Sequence, residues 1–153
     1  MARLDPKGRR FEFLVKRIDE ALDSGFYVEA MALTYSLMEE RTYKLLERLN
    51  IPRRSGDKLF QCLQYFQIHV SNNTITVVPN NCTQTELVTW LQQEFLTSGL
   101  ICDIQTWRNE RNTVTHDLAK QDIDYDNLKT VAQQGRDYFR RYTALIMKLK
   151  KMI

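Results

Sequence analysis

The residues able to do chemistry are few and unevenly spread along the 153-residue chain, which has two histidines and three cysteines. His69 stands in a segment with no cysteine or acid at metal-ligand spacing. A zinc site needs about four converging ligands, so this imidazole reads as a surface or half-buried side chain. Cys62, Cys82 and Cys102 are widely scattered and form no CxxC pair. Such an odd, dispersed set argues for free thiols in a reducing compartment. No glycine-rich phosphate loop, GxSxG elbow or HExxH pair is present. Neither a metal nor a cofactor is expected.

The second histidine lies in a denser context, Trp107-Arg108-Asn109-Glu110-Arg111-Asn112-Thr113-Val114-Thr115-His116-Asp117. On a helix the apolar row runs Ile104, Trp107, position 111, Val114 and Leu118, so position 111 should be apolar. It is Arg111. A guanidinium on an inward stripe loses hydration unless an anion meets it. That anion is either a carboxylate or a phosphate. Asn109 and Asn112, seven and four residues before His116, fall near its face. Arg111 and His116 point about 140° apart on an ideal helix. To converge them, the helix must fray near Thr115, the arginine must bend round, or two subunits must pool their residues.

The elements that must position these groups are mostly helical. Phe11, Leu14, Val15, Ile18, Ala21 and Leu22 recur at helical steps and predict a helix over 7–24, stopped by Asp23-Ser24-Gly25. A second helix is expected over 27–50, ended by Asn50-Ile51-Pro52, and a third over 57–67. Ile68, Val70, Ile75, Val77 and Val78 flank Asn72-Asn73, which suggests a small hairpin or extended insertion near 68–82. Thr83, with Glu86 three residues on, begins a helix over 84–96. Further helices are expected over 100–119 and 125–153. Trp90 and Trp107 read as core or dimer-interface anchors. The expectation is an all-α fold: residues 1–153 as one helical bundle of five to six helices.

Arg111-Asn112-Thr113-Val114-Thr115-His116 resembles the Arg-x4-6-His motif of the HEPN superfamily (higher eukaryotes and prokaryotes nucleotide-binding domains), in which a polar residue, often Asn, follows the arginine. The chain's length, its helical makeup and the motif's place before the last long helix are similar too. The resemblance implies a metal-independent RNA endonuclease acting as a homodimer, with the motifs of two protomers facing one cleft. The 2′-hydroxyl of RNA would attack the adjacent phosphate and leave a 2′,3′-cyclic phosphate end. It would assign His116 to proton transfer, since imidazoles titrate near neutrality. Arg111 would grip the phosphate and stabilise charge on its oxygens, and Asn112 would orient the histidine or the phosphate. Family members often place an acidic or polar residue of an early helix against the motif arginine, and here Glu40 is the expected carboxylate. Arg41, another charge on an apolar stripe, joins Arg108 and Asn109 as possible RNA contacts. A tyrosine common two residues after the histidine in HEPN toxins is Leu118 here, so regulation through such a tyrosine is not expected.

Other readings stand beside this one. Arg111 could be a structural arginine paired with Glu40 or Asp117, with His116 capping a helix end. The chain could be a non-catalytic HEPN-like module that binds nucleotide, nucleic acid or a protein such as a nucleotidyltransferase. The net charge of +3 permits a nucleic-acid partner without demanding one. Six basic side chains over 136–153 read as a solvated face, and the aromatics among them sit at core spacing. No apolar stretch reaches the roughly 18 residues of a transmembrane helix, and the N-terminus lacks the apolar block of a signal peptide. The expected setting is therefore the cytoplasm. The HEPN resemblance implies RNA as substrate and the role of a toxin or antiviral defence effector, with an antitoxin or regulatory partner as a further possibility.

Overall fold

In the computed structural model, which describes residues 5–120 and 124–153, the described residues form six α-helices, one π-helical segment and no strand. Each helix begins and ends where side-chain chemistry dictates. Helix α1 (Pro6–Asp23) starts with Asp5, whose carboxylate accepts from Gly8 N at 2.6 Å, and with Pro6, which needs no amide partner there. It stops where Gly25 takes φ +78° and Phe26 N bonds back to Ala21 O at 2.8 Å. Helix α2 (Tyr27–Arg48) ends similarly, with Asn50 at φ +55° and Ile51 N bonded to Leu46 O.

Helix α3 (Leu59–Ser71) runs past the expected end at 67. Residues 68–71 are its last turn, and the expected hairpin is absent. Asn73 does take the left-handed conformation, at φ +55°, but it closes a helix rather than turning a hairpin. Thr74 N returns to His69 O at 3.0 Å, and the Thr74 hydroxyl meets His69 Nδ1 at 2.8 Å. An Asn pair suits both kinds of turn, and here the preceding apolar run is long enough to stay helical. Residues 72–83 then run without regular structure. Asn81 donates from its amide N to Met152 O (3.1 Å) and from Nδ2 to Lys151 O (2.6 Å), so this segment closes the last carbonyls of the final helix.

Helix α4 (Gln84–Leu91) begins at the expected Thr83, whose hydroxyl accepts from Glu86 N at 3.1 Å. The chain widens into a π-helical segment, Gln92–Thr97, and turns at Gly99 (φ +86°) into α5 (Leu100–Asp117). Helix α6 (Tyr125–Met152) follows, with Asp124 accepting from Asn127 N.

Contacts group the chain into two units. Unit 1 takes the described residues up to Ser36 and from Trp107 to Asp137; unit 2 is Leu37–Thr106 with Tyr138–Ile153. Neither is a continuous stretch of sequence, because α2, α5 and α6 each contribute to both. Unit 1 buries Ile18, Ala21, Leu22, Met31, Val131 and Ala132 together with Trp107, which is 1% exposed. The Trp107 Nε1 donates to Val131 O at 2.8 Å, which satisfies the indole's one donor. A Cβ at Gly135 would clash with that indole ring. Unit 2 centres on Phe95, which meets Phe66, Trp90 and Tyr142 edge-on at centroid distances of 5.1, 5.7 and 6.2 Å. Among the described residues no helix is long and apolar enough to cross a membrane.

Candidate functional site

The residues that carry the motif lie in unit 1, on the second half of α5. Ile104, Trp107 and Val114 are buried along one stripe of this helix, and Arg111 sits on that stripe half-buried. The conflict expected from the spacing is therefore real: a guanidinium occupies a position built for an apolar side chain. Within unit 1 no carboxylate of a described residue pairs with Arg111, Asp117 included. The guanidinium lies instead over the ring of Tyr35, a residue of α2, with its central carbon 4.3 Å from the ring centroid. Arg111 Nη1 donates to Asn112 Oδ1 at 3.1 Å.

An aromatic face attracts a cation through its quadrupole without accepting a conventional hydrogen bond. Arginine carries five N–H donors, and this arrangement engages few of them. Nε is buried with no hydrogen-bond partner, an unpaired group that costs about 1–3 kcal/mol. The charge is held in place, and no carboxylate of a described residue of unit 1 neutralises it.

Asn112 also bears on the angular gap between Arg111 and His116. It lies four residues before His116, only about 40° from it around the helix. By accepting from Arg111 it draws the long arginine side chain toward the histidine's side of α5. His116 itself is exposed in the last turn of the helix. Among the described residues no hydrogen bond or ion pair joins its ring to Arg111. The hydroxyls of Thr113 and Thr115 are turned back to the carbonyls of Asn109 (3.1 Å) and Arg111 (2.7 Å), so neither is committed to the histidine. Arg108 Nη2 donates to Asn109 Oδ1 at 2.9 Å, which pairs two of the expected RNA contacts with each other.

The other expected site residues belong to unit 2. Glu40 is exposed and lines a shallow pocket of about 370 Å³ with Tyr43, Lys44, Leu46, Glu47, Ile51 and Arg53. Its neighbour Glu39 has the clearer structural role, because its Oε2 accepts from Leu59 N at 3.1 Å and closes the start of α3. Arg41 is half-buried on the α2 stripe, and burial lowers its pKa, with Glu40 raising it and Arg48 lowering it further.

A second feature of unit 1 is an open apolar cavity of about 480 Å³ lined by Gly25, Phe26, Tyr27, Val28, Glu29, Leu118, Tyr125 and Leu128. Phe26 and Tyr125 are 59% and 65% exposed. Leu118 lies two residues beyond His116, so apolar surface adjoins the end of α5.

Sequence reasoning missed Tyr35. Its position in α2 carried no mark, since a tyrosine amid apolar residues reads as packing. Set against protein-family models, curated proteins and solved structures, the chain matches none.

Proposed function

We propose that this protein is a metal-independent endoribonuclease of HEPN type, with Arg111 and His116 as its catalytic residues and Asn112 in support. The observation that carries this reading is the state of Arg111. A half-buried guanidinium with no carboxylate partner among the described residues of its unit, stacked on Tyr35 and bonded to Asn112, suits an oxyanion. A purely structural arginine would be expected to find a carboxylate, as the half-buried Arg136 does in the same unit at 2.9 Å from Asp19.

In the proposed reaction the RNA 2′-oxygen forms a bond to phosphorus and the bond to the 5′-oxygen breaks. The 2′-hydroxyl proton leaves to a base, and the departing 5′-oxygen gains a proton from an acid. His116, exposed and with no side-chain hydrogen bond to another described residue, suits one of these roles in each protomer. Arg111 stabilises the charge that builds on the phosphoryl oxygens. The angular gap between the two residues favours a homodimer, in which arginine and histidine of different chains meet one phosphate. The apolar surface beside the end of α5 suits burial against a second copy. Glu40, Arg41, Arg108 and Asn109 remain secondary contacts in this reading, and a cytoplasmic toxin or defence role belongs to it.

A second reading draws on the same gap. Because no bond joins His116 to Arg111, a module that binds an RNA phosphate without cutting it would keep the Arg111 receptor and leave His116 idle. One assay separates the two. RNA is incubated with the wild type, His116→Ala and Arg111→Ala in excess EDTA. Cleavage that survives chelation, leaves cyclic-phosphate ends and falls at least about 100-fold in both variants supports the nuclease. A folded wild type that leaves a broad RNA panel intact rules it out.

A further inference from the structure

We infer that Tyr35 is a positioning residue of the proposed site, holding Arg111 by its ring face so that the guanidinium keeps its charge and its donors for a phosphate. This rests on the nuclease reading for its catalytic consequence and on the observed stack for its geometry. The ring centroid lies 4.3 Å from the guanidinium carbon, within the range of a cation–π contact. Tyr35 is itself half-buried, so the contact is partly shielded from water and screened less than an exposed one.

Three alternatives for holding an arginine can be weighed. A carboxylate would fix the guanidinium firmly, but it would also neutralise it and occupy the bidentate edge that a phosphate needs. Water alone would leave the side chain sampling many rotamers, and ordering it would cost free energy at the moment of binding. The aromatic face does neither. It restricts the planar group to the ring and leaves the hydrogen-bonding edge available. With Nη1 on Asn112 and the face on Tyr35, neither Nε nor Nη2 donates to another described residue. Those two atoms form the side-on fork with which arginine binds a phosphate through two parallel hydrogen bonds. Nε is buried, so a phosphate oxygen reaches it only as the stack adjusts, and Nη2 is the donor that engages first.

The inference separates the ring from the hydroxyl. Tyr35→Phe keeps the face and Tyr35→Leu removes it at similar bulk. The cleavage assay is run on wild type and both variants, with kcat and KM resolved, beside binding of an uncleavable 2′-O-methyl RNA measured by fluorescence anisotropy. Thermal unfolding is recorded for all three. The expected result is a loss of tenfold or more in kcat and of threefold or more in RNA affinity for Tyr35→Leu. Tyr35→Phe should restore both to within about threefold of wild type, with unfolding temperatures of the two variants alike. If the wild type binds but does not cut, and Tyr35→Leu alone loses affinity, the nuclease reading fails and the role of Tyr35 stands. If the wild type cuts and Tyr35→Leu cuts equally well, the role of Tyr35 fails and the nuclease stands. A wild type that neither binds nor cuts overturns both.

Discussion

Two half-buried arginines of unit 1 meet opposite surroundings. Arg136, in α6, stands with Nε 2.9 Å from Asp19 Oδ1, an ion pair whose side chains are 29% and 35% exposed. Arg111, in α5, has a tyrosine ring and an amide oxygen for company. The first arrangement neutralises a charge, and its effect is confined to holding α6 to α1. The second, among the described residues of the unit, meets no carboxylate, so the charge is left to the ring and the amide. The lesson is that burial of an arginine says little by itself. What decides between structure and chemistry is whether the neighbouring groups cancel the charge.

The sharpest way to break that comparison is to neutralise each arginine in turn. Arg111→Gln is expected to lower RNA cleavage by at least about 100-fold while the unfolding temperature barely moves. Arg136→Gln should do the reverse, leaving the cleavage rate near that of the wild type and costing about 1 kcal/mol as the ion pair with Asp19 is lost. Chemical denaturation and a cleavage time course on the same two proteins read both effects. Equal stability losses in the two variants would dissolve the distinction and make Arg111 structural.

The floor beneath the site gives the next largest effect. Gly135 lies against Trp107 so closely that a Cβ would clash with the indole ring. Trp107 is the buried residue one helical turn before Arg111, tied to Val131 O. Gly135→Ala should therefore cost about 1–3 kcal/mol or more through overpacking. For a chain of this size that is a fall of roughly 2–4 °C in Tm per kcal/mol. If the stack on α5 depends on this floor, cleavage falls beyond what the unfolded fraction explains. A Tm unchanged in Gly135→Ala would show that the indole moves aside freely.

Much of the fold was legible and one part of the site was not. Helices α1, α2, α5 and α6 follow apolar stripes, two of them closed by local signals at Gly25 and Asn50-Ile51-Pro52, so their bounds come out within about two residues. The hairpin near 68–82 failed because Asn72-Asn73 is equally a helix cap, and only the tertiary bonds of Asn80 and Asn81 to the end of α6 show what the segment does. Arg111 announced itself, because a charge on an apolar stripe is visible in one dimension. Tyr35 did not, since a partner on another helix leaves no periodic trace. Glu39, which caps the start of α3, is likewise unmarked in the sequence, because its partner lies on another helix.

Unit 2 offers the contrasting case of a polar pair that is buried and fully used. Thr42 donates to Met38 O at 2.7 Å or shares its hydroxyl with the Tyr142 phenol, also at 2.7 Å, and both residues are 0% exposed. Thr42→Val strands the phenol and should cost about 1–3 kcal/mol, more than Tyr142→Phe, which leaves Thr42 its backbone partner. Urea unfolding of the two variants gives the order, and neither should alter cleavage. The reverse order would mean that packing of the phenol, rather than its hydrogen bond, sets the energy.

The smallest effect lies at alkaline pH. Burial raises the Tyr142 phenol far above its usual range, the Thr42 hydrogen bond partly offsetting it, and Tyr43 is pushed up to about 12 by burial and by the Glu39 carboxylate. An unfolded tyrosine loses its proton near pH 10. Above that the folded protein binds more protons than the unfolded one, so stability must fall as pH rises. For Tyr43 the window runs from about pH 10 to about 12, and for Tyr142 it extends higher. Lys150 works the other way: burial, with Arg48 and Arg41, lowers its pKa, so its contribution rises as pH climbs to the unfolded value. The net curve mixes these signs, but the difference between wild type and Tyr142→Phe isolates one group. Their stabilities should run parallel from pH 7 to about 10 and then converge, by at most about 1.4 kcal/mol per pH unit. Parallel curves up to pH 11 would mean that the phenol ionises in the folded state as it does in water, and that the Thr42–Tyr142 pair is reached by solvent.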